Sequence, residues 1–289
     1  MAHAVTQPAR PFRSASGALE IHQIPSAQDN LIWLIVTRDG EAAAVDGPDA
    51  GGTLDYCSAN GFRLTTILNT HTHGDHIGIN RDLERRGMLG GLRVVGPKRA
   101  ASDVPGITEQ VDDGGSVAFG GVTASVLLTE GHINGHVSYV LDGVLFCGDT
   151  MFGAGCGYLF DGPPAKMHAS LERLGALPGG TRMCCAHEYT QDNLRFAFSI
   201  EPGNAELRER IQKTWALRGR GESSIPSSIG LERKTNPFLR HESPELREHI
   251  ARAMPERTLA TPGDVFAATR ALKDRKDYKS ITDAELPTG

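Results

Sequence analysis

Residues 70–76 read Thr-His-Thr-His-Gly-Asp-His and contain four side chains that can bind metal ions: His71, His73, Asp75 and His76. Residues 66–69 directly before them, Thr-Ile-Leu-Asn, predict a short buried strand. A loop that follows a strand end can direct several side chains at one point. Imidazole and carboxylate groups are ligands of zinc and similar divalent cations. Because the chain has only 11 histidines, three in this stretch predict a metal site rather than a polar loop.

Three further segments carry polar side chains at predicted strand ends. His132 follows a predicted strand that ends at Thr129, Asp149 follows the predicted strand 144–147, and His187 follows the apolar residues 183–185. Strand ends of one sheet edge lie close together, so the fold can gather these groups beside residues 70–76. His136 lies four residues after His132, and we expect it to support the site rather than bind metal.

In this order, the His-x-His-x-Asp-His segment and the three later groups resemble the metal-binding signature of the metallo-β-lactamase superfamily. The resemblance implies an α/β fold, the αββα sandwich of that superfamily. It assigns seven ligands: His71, His73 and His132 to one metal, Asp75, His76 and His187 to the other, and Asp149 to both. Asp75 and Asp149 are also the expected catalytic residues, since Asp75 can orient the nucleophile and Asp149 fixes the spacing of the metals.

The implied cofactor is a pair of divalent metal ions per chain. Two such cations roughly 3.5–4 Å apart lower the pKa of a shared water and polarise a substrate carbonyl. We expect zinc, with iron and manganese as alternatives because the same ligands accept all three.

Several other stretches resemble one branch of the superfamily, glyoxalase II, also called hydroxyacylglutathione hydrolase. They cover residues 21–30, 155–162, 187–197, 235–240 and 270–277. The resemblance therefore extends over almost the whole chain from about residue 19 to 279. It implies a thioesterase that converts S-D-lactoylglutathione to D-lactate and glutathione in methylglyoxal detoxification, with a small-molecule glutathione thioester as its partner.

The same resemblance implies five substrate-binding residues: Tyr158, Phe160, Tyr189, Lys273 and Lys276. The resemblance places the two lysines, three residues apart, on one face of the C-terminal helix, where they can hold a carboxylate together. At position 158 the family usually has a lysine or an arginine, so Tyr158 removes one charged contact. At position 160 many members have tyrosine, although phenylalanine is common in bacterial forms.

The chain divides into three predicted parts. Residues 1–18 are rich in proline and small residues and are expected to form a flexible N-terminal arm. Residues 19–187 alternate predicted strands and helices, which is typical of the metallo-β-lactamase domain. Residues 188–289 carry helical patterns at 204–218, 244–253 and 262–273, and they predict a small C-terminal all-helical domain that binds substrate.

Composition limits the partners and the compartment. A net charge of −5 argues against a nucleic-acid partner. No apolar run approaches the roughly 20 residues that a membrane span needs. Five cysteines without a disulfide or CxxC spacing predict buried free thiols in a reducing, cytoplasmic setting. A monomer is the default expectation.

Four alternatives remain at this point. The chain could be a thioesterase for a different thiol carrier, which Tyr158 leaves open. It could be a glutathione persulfide dioxygenase with one iron, although that branch lacks the second metal site. A nuclease would require a basic surface and a further domain. A non-catalytic binding protein would have lost ligands, whereas all seven are present.

Overall fold

The computed structural model describes residues 3–288 and is built on two β-sheets. The first sheet has seven strands in chain order: β1 (Phe12–Arg13), β2 (Leu19–Ser26), β3 (Asn30–Thr37), β4 (Glu41–Val45), β5 (Arg63–Leu68), β6 (Arg93–Pro97) and β7 (Glu109–Val111). The second sheet has six: β8 (Ser116–Phe119), β9 (Val122–Leu128), β10 (Val137–Leu141), β11 (Val144–Gly148), β14 (Arg182–Cys185) and β15 (Ser227–Ser228). A separate short ladder pairs β12 (Met151–Phe152) with β13 (Gly155–Cys156).

Residues 3–288 also form eight α-helices: α1 (Gly51–Asn60), α2 (Gly78–Arg85), α3 (Pro164–Gly175), α4 (Thr190–Ile200), α5 (Ala205–Gly219), α6 (Ile229–Thr235), α7 (Pro244–Ala253) and α8 (Pro262–Arg275). Short 3-10 helices lie at Lys98–Asp103, Pro237–Leu239, Asp277–Ser280 and Asp283–Glu285. The sequence patterns predicted the positions of α5, α7 and α8. Among residues 3–288, no helix has the length and apolar character that crossing a lipid bilayer requires.

Strand β3 explains why the first sheet is covered on both faces. Its residues Leu31, Trp33 and Ile35 belong to a core cluster shared with the second sheet. The alternate residues Ile32 and Leu34, on the opposite face, belong to a second cluster with apolar side chains of α1 and α2. The two sheets therefore pack face to face, and these helices cover the outer side of the first sheet.

The strand directions bring several chain segments to one edge. Strands β4, β5 and β6 are parallel to one another, and β11 is parallel to β14 in the second sheet. Parallel strands end on the same side, so the loops that follow β4, β5, β11 and β14 begin at neighbouring positions. Trp33 links the two sheets near this edge, because its indole Nε1 donates a hydrogen bond to Cys185 O at 2.9 Å.

The N-terminal segment differs from the flexible arm that we expected. Val5 is only 2% exposed and belongs to the main core. The backbone N–H groups of Ala4 and Gln7 donate to Gln28 O and Gly221 O at 2.8 and 2.9 Å. Strand β1 also pairs with β2. One buried valine and backbone hydrogen bonds to residues distant in the chain thus attach this segment, which the count of proline and small residues did not reveal.

The C-terminal segment is helical, with one exception. Strand β15 lies within it and pairs antiparallel with β14, so this segment also extends the second sheet. Two ends of the predicted domains, residues 1–2 of the arm and residue 289 of the helical part, lie outside the described residues.

Candidate active site

Four strand ends supply the residues of one polar cluster. The loop after β5 carries His71, His73, Asp75 and His76. His132 lies in the loop after β9, Asp149 directly follows β11, and His187 lies just after β14. All seven predicted metal ligands therefore lie in this cluster. They fall into two groups, His71, His73, His132 and Asp149, and Asp75, His76 and His187, with the ligand atoms of each group within 4.8 Å of one another.

In the first group, His73 Nδ1 is the central atom. It lies 3.2 Å from His71 Nε2 and 2.9 Å from His132 Nε2. Asp149 Oδ2 lies 3.5 Å from His132 Nε2. Three ring nitrogens and one carboxylate oxygen thus converge on one point.

In the second group, the ring nitrogens of two histidines face the same carboxylate. Asp75 Oδ2 lies 3.3 Å from His187 Nε2 and 3.6 Å from His76 Nε2. Asp149 Oδ1 lies 3.5 Å from each of these nitrogens. Asp149 therefore directs one oxygen at each group, which is the arrangement of a bridging carboxylate.

The buried carboxylates of the cluster favour positive charge beside them. Burial would raise the pKa of Asp149, but the neighbouring charges of His187 and His76 outweigh burial and hold that pKa well below its usual range. Burial would lower the pKa of His187, but the Asp149 charge and the hydrogen bond with Asp29 raise it to about 9. Protons on the histidines or divalent cations can balance these carboxylates.

Two buried atoms in the cluster also need a partner. His76 Nε2 and Asp149 Oδ1 make no hydrogen bond to any of the residues 3–288. A buried polar atom without a partner costs about 1–3 kcal/mol, and a cation between the two would satisfy both. The histidine and aspartate groups thus suit a binuclear metal site.

In two of these histidines, the ring nitrogen that faces away from the cluster is held by a specific acceptor. His187 Nδ1 lies 2.8 Å from Asp29 Oδ1, and His132 Nδ1 lies 2.8 Å from Tyr158 O. Both partners can only accept, so each ring donates from Nδ1 and turns Nε2 toward the cluster, where a metal ion can replace a proton. The histidines are therefore oriented as metal ligands by contacts outside the cluster.

Sequence reasoning missed three of these supporting residues. Asp46 follows β4 and lies 3.0 Å from His76 Nδ1. Asn30 Nδ2 donates to Asp75 Oδ2 at 3.0 Å, and its neighbour Asp29 holds His187 as described. The strand-end argument that identified the histidines could also have found Asp46. The contacts of Asp29 and Asn30 join residues far apart in the chain and left no local pattern.

His136 supports the cluster without offering a free nitrogen. Its Nδ1 lies 3.1 Å from Thr129 Oγ1, and its Nε2 accepts a hydrogen bond from the Asp149 backbone N–H at 3.2 Å.

Gly148, just before Asp149, has a φ of +46°, and a Cβ there would lie 2.3 Å from Thr70 Oγ1. Only glycine therefore allows Asp149 its position above the cluster.

Three predicted substrate residues form an aromatic rim around the cluster. Tyr158 and Phe160 are 55% and 62% exposed, unusually high for large apolar side chains. The Phe160 ring stands edge-on to His73 and His132, with centroids 5.2 and 5.3 Å away. Tyr189 stacks on His187 at 4.8 Å, and burial with the nearby Asp29 charge raises its pKa, so its hydroxyl keeps a proton that it can donate.

A cavity of about 320 Å³ adjoins this rim and is lined in part by basic residues. Its lining includes Tyr158, Tyr189, Asn193, Arg270, Lys273 and Lys279. Lys273 is 8% exposed, and its ammonium group donates to Asn193 Oδ1. The cavity therefore offers cations beside an aromatic wall.

Lys276 has a different position from the one expected. We predicted that it shares a helical face with Lys273, but α8 ends at Arg275 and Lys276 is its C-cap, with a φ of +64°. It is exposed and is not among the described residues that line the cavity. Arg270 and Lys279, to which sequence reasoning gave no role, lie there instead.

Comparisons with known proteins agree with this arrangement. Residues 31–187 match the family model of the metallo-beta-lactamase superfamily, and residues 188–276 match that of the hydroxyacylglutathione hydrolase C-terminus. A hydroxyacylglutathione hydrolase of Methylococcus capsulatus is 46% identical over 263 residues, which cover 89% of this chain and 98% of the relative. The protein of the same name from Gloeobacter violaceus is 43% identical over 258 residues, covering 88% and 99%.

Solved structures share the fold at lower identity. The BLEG-1 B3 metallo-beta-lactamase aligns with a TM-score of 0.57 at 23% identity, covering 76% of this chain and 99% of that one. ETHE1 from Myxococcus xanthus aligns with a TM-score of 0.55 at 22% identity, covering 91% and 97%. The expected α/β sandwich is confirmed, and so is the C-terminal helical region.

Proposed function

The chain belongs to the hydroxyacylglutathione hydrolase family of the metallo-β-lactamase superfamily, and from this we propose that it hydrolyses S-D-lactoylglutathione and related 2-hydroxyacyl thioesters to the hydroxy acid and glutathione. It is a thioester hydrolase of the glyoxalase II type. The observation that carries the substrate assignment is a cluster suited to two metals that adjoins a cavity with buried cations. The proposed physiological role is methylglyoxal detoxification.

The proposed ligands are the two groups of the cluster, joined by Asp149. Zinc is the proposed metal because histidine nitrogens and carboxylate oxygens are its common ligands. When bound, the pair of cations lowers the pKa of a water ligand and polarises the thioester carbonyl.

The residues of the chain set the geometry of the reaction. Asp29 and Asp46 accept hydrogen bonds from Nδ1 of His187 and His76. These contacts orient both rings so that Nε2 faces the cluster. Asn30 donates to Asp75 Oδ2, so the other oxygen of Asp75 remains available to orient the nucleophile. The leaving thiolate needs no general acid, since a thiol has a pKa of only about 8.5.

The cavity supplies the contacts for the glutathione part of the substrate. Glutathione is a peptide with two carboxylates, and Arg270, Lys273 and Lys279 provide positive charge on the cavity wall. The protonated hydroxyl of Tyr189 can donate to a peptide carbonyl at the boundary between cavity and cluster. Tyr158 adds aromatic surface to the wall of this cavity, and Phe160 stands edge-on to His73 and His132 of the cluster.

The alternative of a one-iron persulfide dioxygenase is not favoured. The full-length relatives are named hydroxyacylglutathione hydrolase, and Asp75, His76 and His187 form a complete second group. A cytoplasmic location is a further proposal, supported by five cysteines that are buried and unpaired in the described chain. The monomeric state stays a prediction.

A thioester panel with metal analysis on the same sample tests the proposed function. We expect lactoylglutathione to be hydrolysed with the highest kcat/KM, and thioesters of other small thiols to be poor substrates. Near two equivalents of metal per active chain should accompany this activity, apart from any ion bound outside the cluster. A preference for another thiol carrier would contradict the glutathione assignment, and one catalytic iron would contradict the binuclear one.

A further inference from the structure

A second cluster of metal-binding side chains lies outside the candidate active site. His168 and Glu172 are on α3, and His241 is in the loop that precedes α7. One ligand atom from each lies within 4.8 Å of the others. The active-site groups and the substrate cavity share none of these residues. We propose that His168, Glu172 and His241 form an additional divalent-cation site, with zinc as its preferred ion.

The positions of the three side chains follow from the local structure. His168 and Glu172 are four residues apart on one helix, so they project from the same face. The spacing is one that helices use for pairs of metal ligands. The backbone carbonyl of His241 accepts a hydrogen bond from Arg247 at 3.2 Å, which holds the loop against α7.

The distances indicate a shared ion rather than direct hydrogen bonds. Glu172 Oε1 lies 3.9 Å from His168 Nε2 and 3.6 Å from His241 Nδ1. Both separations exceed a hydrogen bond. Ligand atoms about 2.0–2.2 Å from a tetrahedral zinc lie roughly 3.3–3.5 Å apart. A small movement of the exposed Glu172 side chain would bring its oxygen to this separation from both nitrogens.

The two nitrogens that face Glu172 also lack any other partner. His168 Nε2 and His241 Nδ1 are buried atoms without a hydrogen bond in the described part of the chain. The same property marks His76 Nε2 and Asp149 Oδ1 in the candidate active site, where the separation is 3.5 Å. The second cluster thus repeats the atomic signature of the first.

The surroundings are those of a structural or regulatory ion. On the far side of the His241 ring, Glu242 Oε1 lies 3.6 Å from Nε2, so a second carboxylate charge favours a cation near this ring. Glu172 is exposed, which gives an ion access from solvent. With two histidines and one carboxylate, a tetrahedral ion keeps one position for water. The ion would connect α3 with the loop before α7.

Zinc titration against a chromophoric chelator tests the proposal on the full-length protein. We expect the wild type to bind one zinc equivalent beyond the two of the active site. Glu172→Gln changes only an exposed side chain and should lower the affinity for this extra zinc ion at least about tenfold. The double variant His168→Ala/His241→Ala should not bind the extra ion. The control His249→Ala, in α7 but outside the cluster, should bind as the wild type does.

Two further readouts separate this site from the catalytic one. Asp149→Ala should keep the extra equivalent while it loses the active-site metals. Glu172→Gln should keep wild-type thioesterase activity, and extra zinc should raise the Tm of the wild type but not of this variant. Wild-type protein that binds no equivalent beyond the active site, or Glu172→Gln and double variants that bind zinc as the wild type does, would overturn the proposal.

Discussion

Asp46 Oδ2 lies 3.0 Å from Nδ1 of His76, and both side chains are buried. Asp46 also accepts hydrogen bonds from the backbone N–H and the hydroxyl of Thr70, at 2.8 and 2.7 Å. One carboxylate therefore fixes both the start of the histidine loop and the ring of a proposed ligand. Sequence analysis gave this residue no role in the site.

Replacing Asp46 with asparagine should weaken metal binding. Asp46→Asn keeps the shape of the side chain but removes the charge behind His76, so we expect metal affinity to fall about 10–100-fold. Competition with a chelator measures this directly. Asp49→Asn is the matched control, since Asp49 lies in the same turn and contacts Ser26 and Gly51. Equal affinity in the two variants would argue against the role of Asp46.

A cation at position 158 should improve binding of the glutathione thioester. Tyr158 is 55% exposed and lines the basic cavity. A lysine there adds one ion pair with a glutathione carboxylate, which solvent screens to a value of up to about 1 kcal/mol. Tyr158→Lys should therefore lower KM about two- to fivefold, and Tyr158→Phe should leave it unchanged. Steady-state kinetics with lactoylglutathione decide the matter, and a KM that does not fall in the lysine variant would disprove it.

Substrate binding should weaken as the pH rises through the range in which Lys273 loses its proton. Burial, together with the Arg270 charge, lowers the pKa of Lys273 to about 8. The cation is present below this pKa and is lost above it, so kcat/KM should decline from about pH 7 to about pH 9. Lys273→Arg stays charged in this range and should remove that part of the decline. Identical pH profiles for the two proteins would exclude Lys273 as the titrating group.

The N-terminal segment should contribute to stability. Val5 is 2% exposed in the main core, and Val5→Ala removes two buried carbon groups, which should lower the free energy of unfolding by about 2 kcal/mol. Urea unfolding at saturating zinc measures the change, with the exposed Thr6→Ala as control. If Val5→Ala unfolds at the wild-type urea concentration, the segment does not stabilise the fold.

Local patterns in the sequence predicted the parts of the site that depend on strand ends. His71 to His76 and the later residues Asp149 and His187 all follow apolar runs, and the sheets bring those runs to one edge. The position of β3 was also predictable, because its apolar run is long enough for a strand buried on both faces.

Contacts between distant segments could not be predicted in this way. Asp29 meets His187 across 158 positions, and no spacing rule links the two. Lys276 was placed on a helical face, but α8 ends one residue earlier in a left-handed cap. The packing of Val5 depends on a core surface that forms only after the sheets assemble. Each case depends on tertiary contacts and not on local periodicity.

The central claim is that Asp149 joins two catalytic metals, and its alanine variant tests this most directly. Metal content and lactoylglutathione hydrolysis should be measured on the same preparation of Asp149→Ala, with the exposed Asp103→Ala as control. We predict that Asp149→Ala loses the active-site metals and its turnover together, while the control keeps both. Full hydrolysis by Asp149→Ala with both active-site metals retained would contradict the account.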